Sequence, residues 1–301
     1  MKKLIGKIFM DLDKIAVPTA RSIFLSNDPS IKEKEFAFFC SLKLKSGVTK
    51  TTDRNRMRNV DTWFCQFLPK DKLQKVLDVG ISSGITTVEL CEAFDANNIS
   101  YQVTGLDSDL TAFLIIFSDD KSILVDKEGY PIHFEIKGKG FGYVKGTNVK
   151  HFAERSLLES QSKSFINSQF KDTLQSIEKS TNKNGTAIHR IELVCREIKE
   201  NPSIQLLEDS IFSENSEKKY NVIRAANILN KAYFTDEQLT DALQKLRNRL
   251  EPGGFLMICR TNFEGENNAS LFNLTSENKF ELVDKFGEGS EVEDLVLNLK
   301  S

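Results

Sequence analysis

The residues best suited to chemistry stand together at the end of one short apolar run. Residues 76–79 are apolar except for Asp78, and they lead into a turn that contains Gly80 and Gly84. Such a run predicts a buried parallel strand, and the glycines would let the backbone turn tightly and approach a ligand. The helix predicted after the turn would direct its first N–H groups at the same ligand. The stretch therefore predicts a cradle for a nucleotide-type cofactor.

A second carboxylate ends the next apolar run. Asp107 closes the strand predicted over residues 101–107, about 20 residues after the glycine turn, as in strand, helix, strand units that bind nucleotides. In such units the second acidic residue binds the ribose hydroxyl groups. Asp107 is therefore predicted to bind a ribose.

The glycine spacing also indicates the kind of nucleotide. A dinucleotide site has the pattern G-x-G-x-x-G, whereas this chain has D-x-G-x-S-x-G with Ser82 in the middle position. The negative charge of Asp78 would repel a pyrophosphate, so we expect a ligand with a cation near Asp78 and an adenosine ribose near Asp107. S-adenosylmethionine carries both, as its methionine amine and its ribose.

These residues resemble the first two motifs of the class I S-adenosylmethionine-dependent methyltransferases. The matching positions are residues 77–80, Gly84 and Asp107, and Ser82 replaces a glycine that is often found there. The helix, Pro-Gly-Gly, strand pattern over residues 239–259 is a further hallmark. The resemblance implies an α/β fold with a Rossmann-like seven-stranded sheet, a terminal antiparallel hairpin, and S-adenosylmethionine as cofactor.

The resemblance also implies roles for two later residues. Asp209 follows the third core strand, where the family places an acidic residue against the adenine amino group, and its neighbour Glu208 is an alternative. Asn227 lies in the loop after the fourth strand, which faces the transferred methyl group. Alternatively, Asn227 is a turn residue that satisfies its own backbone. That loop lacks the N-P-P-aromatic signature of DNA amino-group methylation, which argues against a nucleic-acid adenine methylase.

No catalytic base is assigned from the sequence. Methyl transfer is an in-line displacement in which positioning provides much of the acceleration, and a hydroxyl acceptor can also need a base. The chain has only His133, His151 and His189 for that role, and each is equally explained as an ordinary structural histidine. A carboxylate acceptor would need no base.

The motifs divide the chain into four segments. Residues 1–52 are predicted as an N-terminal helical extension with a first helix at 2–16, and residues 53–107 and 187–301 as the two halves of the core. Residues 108–186 are predicted as an α+β insertion, with a hairpin followed by a helix at 151–179. Its glycine-rich and lysine-rich part, residues 137–146, is predicted as a lid over the substrate, an interaction surface or a structural decoration.

A helix and a hairpin complete the predicted core. The spacing of the apolar residues at 188, 191, 194, 195 and 198 predicts a helix before the third core strand. Residues 279–286 and 292–299 flank a glycine-rich link and predict a hairpin. In that prediction the strand at 292–299 lies antiparallel between those at 255–259 and 280–286.

Composition limits the partners and the compartment. The 301 residues are 28% charged with a net charge of −2, so no overall positive field attracts nucleic acid. The five cysteines show no C-x-x-C spacing, which favours a reducing cytoplasm. No stretch is long and apolar enough to predict a transmembrane segment.

The leading hypothesis is methyl transfer to a small-molecule or protein side-chain acceptor. An NAD(P)-dependent oxidoreductase is disfavoured because G-x-G-x-x-G and Tyr-x-x-x-Lys are both absent. A non-catalytic module that binds S-adenosylmethionine is the third hypothesis. The sequence does not decide whether the chain forms a homo-oligomer.

Overall fold

The computed structural model describes residues 17–45, 47, 49–50, 53–143, 149–214 and 218–300, and the side chains of 149–154 are not described. The predicted helix at 2–16 lies outside this part of the chain. The chain forms two compact units, one of residues 1–52 with 109–195 and the other of residues 53–108 with 196–301. Within the described ranges no helix has the length and apolar character needed to span a bilayer.

The strands and helices are labelled in chain order. The strands are β1 (Gln74–Val79), β2 (Tyr101–Asp107), β3 (Thr111–Ser118), β4 (Lys121–Asp126), β5 (Pro131–Ile136), β6 (Lys139–Phe141), β7 (Ser180–Lys183), β8 (Thr186–Glu192), β9 (Ile204–Glu208), β10 (Tyr220–Ala226), β11 (Leu250–Thr261), β12 (Asn267–Leu274) and β13 (Phe280–Phe286). The helices are α1 (Ala20–Leu25), α2 (Lys32–Cys40), α3 (Arg58–Phe64), α4 (Ile85–Ala96), α5 (Val149–Ser176), α6 (Arg196–Glu200), α7 (Asp236–Arg249) and α8 (Glu293–Leu297).

The unit of residues 53–108 and 196–301 contains a seven-stranded sheet in the order β13-β12-β11-β10-β1-β2-β9. The five strands from β11 to β9 are parallel, and β12 and β13 continue the sheet as an antiparallel meander. Apolar runs form the central strands because both of their faces are covered. The predicted fold class, a Rossmann-like sheet with a terminal antiparallel hairpin, is confirmed.

Helices cover both faces of this sheet. On one face α7 packs through Leu239, Leu243 and Leu246, which are fully buried in one apolar cluster. On the other face α3 and α4 pack in a second cluster. A complete capping box of Thr235 and Gln238 begins α7, as its sequence predicts. The two layers fix the carboxyl ends of the parallel strands at one edge.

The terminal hairpin is present, but the prediction assigned one of its two strands to the wrong residues. The strand between β11 and β13 is β12, not residues 292–299, and residues 293–297 form α8. The buried residues Val292, Val296 and Leu299 are spaced for one face of a helix, and they pack into the α7 side of the core. Polar residues at 267, 268, 270 and 273 made β12 a weaker strand signal than residues 292–299, five of which are apolar.

The other unit contains a six-stranded antiparallel sheet in the order β6-β5-β4-β3-β8-β7. The predicted hairpin of the insertion is β4 paired with β5. The predicted helix is α5, which packs Ile166, Phe170 and Leu174 against this sheet.

The helix predicted from residues 188 to 198 is wrong for most of its length. Residues 186–192 form β8, which pairs with β3 on one side and β7 on the other, and only residues 196–200 are helical. Pairing on both edges stabilises an extended chain whatever the apolar spacing suggests. The second sheet therefore continues beyond residue 186, the end predicted for the insertion. Part of the predicted lid is the short strand β6, and residues 144–146 of the lid lie outside the described chain, so the lid stays a prediction.

Candidate cofactor site

The glycine turn connects β1 to α4 in an unusual backbone conformation. Gly80, Ser82 and Gly84 have φ angles of 72°, 57° and 83°, and no side chain caps the start of α4. A Cβ atom on Gly84 would lie 2.4 Å from Cδ1 of Ile198, and one on Gly80 would lie 3.1 Å from Cδ1 of Ile228. Both glycines are thus required by conformation and by close packing.

Asp107 and Ser82 come together as the sequence predicts for one site. The backbone N–H of Ser82 donates to Oδ2 of Asp107 at 2.7 Å. Asp107 ends β2 at the carboxyl edge of the sheet and is half-buried. Its hydrogen bond fixes the carboxylate beside the turn, at the edge where open α/β sheets bind ligands.

Asp78 does not present its carboxylate as the sequence analysis expects. The residue is 1% exposed, and its Oδ1 accepts from Nη1 of Arg224 at 3.0 Å. Its Oδ2 accepts from Oγ1 of Thr87 at 2.7 Å. The cation predicted beside Asp78 as part of a ligand is therefore an internal arginine. Asp78 is placed to hold β1, α4 and β10 together.

The same arginine binds a second buried carboxylate. Nε and Nη2 of Arg224 donate to Oδ1 and Oδ2 of Asp61 at 3.0 and 3.1 Å. Asp61 lies on α3 and is fully buried, and this burial raises its pKa to about 6 although Arg224 opposes the shift. One cation thus joins carboxylates from two elements. The pairing of Arg224 with Asp61 was not predicted from the sequence. The signal there is that each of the two residues is a charged residue inside an otherwise apolar pattern.

Asp209 lies beside Asp107, and one oxygen of its carboxylate binds an arginine. Its backbone N–H donates to the Asp107 carbonyl at 3.1 Å, so the ends of β2 and β9 are adjacent. Its Oδ2 accepts from Nη2 of Arg249 at 3.2 Å, and its side chain is 23% exposed. Glu208, the alternative, is paired in register with Asp107. The adenine-binding role of Asp209 stays a prediction.

Asn227 joins the ends of two strands. It has a φ angle of 60°, and its Oδ1 accepts from the backbone N–H of Thr261 at 2.8 Å. Its Nδ2 donates to Oγ1 of Thr261 at 3.2 Å. The Asn227 side chain therefore holds Thr261 of β11, whereas a turn residue of the kind considered from the sequence would bond to its own backbone. Contact between Asn227 and a cofactor stays a prediction.

A second polar chain orders the segment before α3. Oγ1 of Thr261 donates to Oδ1 of Asn267 at 2.8 Å. Nδ2 of Asn267 in turn donates to the carbonyl of Arg56 at 2.6 Å. The segment around residue 56 is thereby held to the carboxyl end of β11.

Two charged residues in this region, the buried Glu89 and the partly buried Arg56, each have one buried polar atom that is not satisfied. Glu89, on α4, is 7% exposed, and its Oε1 accepts from the backbone N–H of Asn55 at 2.7 Å. Among the residues that the structure describes, no group hydrogen bonds to Oε2 of Glu89 or to Nε of Arg56. Burial raises the pKa of Glu89 and lowers that of Arg56. Neither residue was selected from the sequence.

The two histidine side chains that the structure describes belong to the other unit. His133 lies on β5 in the other unit, is 1% exposed and contacts the ring of Phe38 with centroids 5.0 Å apart. Burial lowers its pKa to about 3, so it is neutral at pH 7. His189 lies on β8 of the same unit, and the side chain of His151 is outside the described part.

Comparison with known proteins gives matches of fold only. No family model matches the chain, and no curated protein matches it either. Three solved structures with similar folds are described here. The chain is 12% identical to the N-methyltransferase NodS from Bradyrhizobium japonicum WM9, solved with S-adenosyl-L-homocysteine, with 78% of this chain and 73% of NodS covered and a TM-score of 0.33.

The other two are the CcbJ methyltransferase from Streptomyces caelestis and an O-methyltransferase family protein from Burkholderia thailandensis. Identity to CcbJ is 10%, with 77% of this chain and 71% of CcbJ covered and a TM-score of 0.32. Identity to the Burkholderia protein is 8%, with 69% of this chain covered and a TM-score of 0.30. The chain spans only 40% of that protein's length.

These structures are methyltransferases. Because the TM-scores are low, the proposal below depends on the residues of the chain itself.

Proposed function

We propose that the chain binds S-adenosylmethionine and transfers its methyl group to a small-molecule or protein side-chain acceptor. The observation that carries the proposal is the joining of the glycine turn to Asp107. The turn supplies close backbone approach and the uncapped start of α4, and Asp107 supplies a fixed carboxylate for ribose hydroxyls. These features suit an adenosine ligand.

The reaction needs little from the protein beyond position. When bound, the cofactor supplies a methyl group on a positively charged sulfur. An acceptor lone pair forms the new bond to the methyl carbon as the carbon–sulfur bond breaks, and the electron pair of that bond stays on sulfur. The glycine turn and Asp107 would fix the adenosine part so that acceptor and methyl group meet in line.

The oxidoreductase hypothesis changes in one respect. Arg224 offsets the charge of Asp78, so repulsion of a pyrophosphate by Asp78 is weaker than the sequence analysis assumed. The pattern G-x-G-x-x-G remains absent, and β12 runs antiparallel in the sheet. The test must therefore compare both ligands directly.

Isothermal titration calorimetry of the full chain provides that test. We expect S-adenosylhomocysteine to bind with a Kd on the order of 1 to 10 µM, and NAD to bind at least about 100-fold more weakly. Binding of NAD with equal or higher affinity would favour the oxidoreductase. The absence of binding by S-adenosylmethionine and S-adenosylhomocysteine would refute the proposal.

A further inference from the structure

Glu89 on α4 and Arg56 before α3 carry opposite charges, and each has one buried polar atom that is not satisfied. Oε2 of Glu89 and Nε of Arg56 are both buried without a hydrogen-bond partner in the described part of the unit. Buried polar atoms of this kind are rare in native structures, and each calls for a partner or an explanation. A carboxylate and a guanidinium left in this state call for a cation and an anion respectively.

The two side chains lie in the same neighbourhood. Asn55, which directly precedes Arg56, donates its backbone N–H to Oε1 of Glu89 at 2.7 Å. The charge of Glu89 also acts on Arg56. Both belong to the unit that contains the glycine turn. A ligand group that carries both charges could therefore reach the two side chains together.

The position along α4 also fits. Glu89 lies five residues after Gly84, which is roughly 7 Å along a helix axis at 1.5 Å per residue. That length is comparable to the reach of an amino-acid side arm from a ribose bound at the turn. The carbonyl of Arg56 is fixed by Asn267, so the segment that carries the guanidinium is anchored.

Asp78, the carboxylate that the sequence predicts beside the ligand amine, already has partners for both oxygens. Its two oxygens bind Arg224 and Thr87, and the residue is 1% exposed. A ligand ammonium would have to displace an internal ion pair to reach it. Breaking such a buried pair is strongly unfavourable, so Glu89 is the better partner.

We infer that Glu89 and Arg56 bind the zwitterionic amino-acid end of the cofactor, Glu89 accepting from the ammonium and Arg56 donating to the carboxylate. This inference rests on the proposed function, because it concerns the same ligand. The sequence predicts that the ligand amine binds near Asp78. The inference assigns the amine instead to Glu89, which lies about one turn from the start of α4.

The test compares two ligands that differ only in the amino-acid end. S-adenosylhomocysteine has that end, whereas 5′-methylthioadenosine keeps the adenosine and the thioether and lacks it. We expect Glu89→Gln and Arg56→Gln each to weaken S-adenosylhomocysteine about 10- to 100-fold, the loss of one charged hydrogen bond. Affinity for 5′-methylthioadenosine should change less than about 2-fold. Calorimetry measures both.

Glu92→Gln is the matched control, because Glu92 is on the same helix and its side chain is 58% exposed. We expect it to leave both affinities unchanged. Glu89→Gln should also leave the ligand-free protein at least as stable to urea, since the amide keeps the contact with Asn55 and removes a buried charge. This readout separates ligand binding from a purely structural role.

The outcomes distinguish the inference from the proposed function. If wild-type protein binds both ligands but the variants lose affinity for both equally, or for neither, the inference is wrong and the proposed function stands. A Glu89→Gln protein that is markedly less stable without ligand would also overturn the inference. If wild-type protein binds neither ligand, the proposed function and the inference both fail.

Discussion

At the scale of single residues, Arg224 is the side chain on which the buried charges of the candidate site depend. It is the cation shared by Asp61 and Asp78, and all three are at most 1% exposed. Taking charges out of water is costly, and the cost is offset here only by mutual attraction and hydrogen bonds. Loss of the cation would leave two carboxylates buried beside each other.

We predict that Arg224→Met lowers the free energy of unfolding by about 3 to 5 kcal/mol at pH 7. The loss should be smaller at pH 5, because Asp61, whose pKa burial raises to about 6, is then protonated and one of the two uncompensated charges is removed. Urea titrations at the two pH values measure this. Arg260→Met is the control, since the Arg260–Glu291 pair is partly exposed and such pairs contribute about 0 to 1 kcal/mol. Equal losses in the two variants would contradict the prediction.

Asp107 is the residue to which the proposed function assigns the ribose. We predict that Asp107→Ala weakens S-adenosylhomocysteine by about 1 to 3 kcal/mol, because ribose hydroxyls lose a charged acceptor. The same loss is expected for 5′-methylthioadenosine, which has the ribose. Calorimetry of both ligands checks this, and unchanged affinity would show that Asp107 serves only to hold the N–H of Ser82.

The sequence predicts part of this site. Asp107 and Ser82 could be placed together because a strand end and a glycine turn are local patterns. The partner of Asp78 could not, since Arg224 is distant in the chain and meets it only through the parallel pairing of β1 with β10. Asn227 gave no decisive signal, because an asparagine at a turn serves its own backbone as readily as a ligand.

At the scale of elements, the start of α4 depends on glycine for two separate reasons. Gly84 has a φ angle of 83°, and a Cβ there would lie 2.4 Å from Ile198. Gly253 has a similar φ angle of 80° but nothing lies within 4 Å of its Cβ position. The two positions share the conformational penalty and differ in packing.

We predict that Gly253→Ala costs about 1 to 2 kcal/mol of stability, the penalty for a left-handed conformation. Gly84→Ala should cost about 1 to 3 kcal/mol more, because the methyl group overpacks the contact with Ile198. Adding Ile198→Ala to the Gly84 variant should recover part of the extra loss, although that change creates its own packing defect. Thermal and urea unfolding measure these values, and equal costs at the two glycines would refute the packing argument.

Elements were predictable where one pattern dominated. The buried parallel strands and the capped helix α7 follow from apolar runs and from the capping box. The prediction placed a strand at 292–299, where the structure has helix α8, and missed strand β12. Five apolar residues among eight fit the spacing of a helix or of a strand when the tertiary pairing is unknown. Strand β8 was missed for the same reason, since its partners β3 and β7 determine its conformation.

At the scale of the whole molecule, the two units have separate sheets and separate apolar clusters. Their responses should therefore be separable. Ligand binding is proposed in the unit of the seven-stranded sheet, whereas His133, whose pKa is lowered by burial, lies in the other unit.

We predict that the six-stranded unit loses stability as the pH falls below 6.5. His133 has a pKa of about 3 in the folded chain and 6.5 as its reference value. Between these values the unfolded state binds the proton and the folded state does not. The free energy of unfolding therefore decreases as the pH is lowered, by up to about 1.4 kcal/mol per pH unit. His133→Leu should show a shallower decline. Hydrogen exchange of β4 and β5 measures it, and parallel pH profiles would contradict the prediction.

The strand order of the seven-stranded sheet has a consequence for biosynthesis. Strands β1 and β2 are made early, but their other neighbours, β10 and β9, come after the six-stranded sheet is complete. At translation rates of about 5 to 20 residues per second, the wait between β2 and β9 is roughly 5 to 20 seconds. At the end of that interval the ribosome would carry the six-stranded sheet and, in the same chain, a two-stranded fragment with open hydrogen-bonding edges. The nascent chain is therefore most exposed to mispairing and to chaperone binding at the two strands that end at the candidate cofactor site.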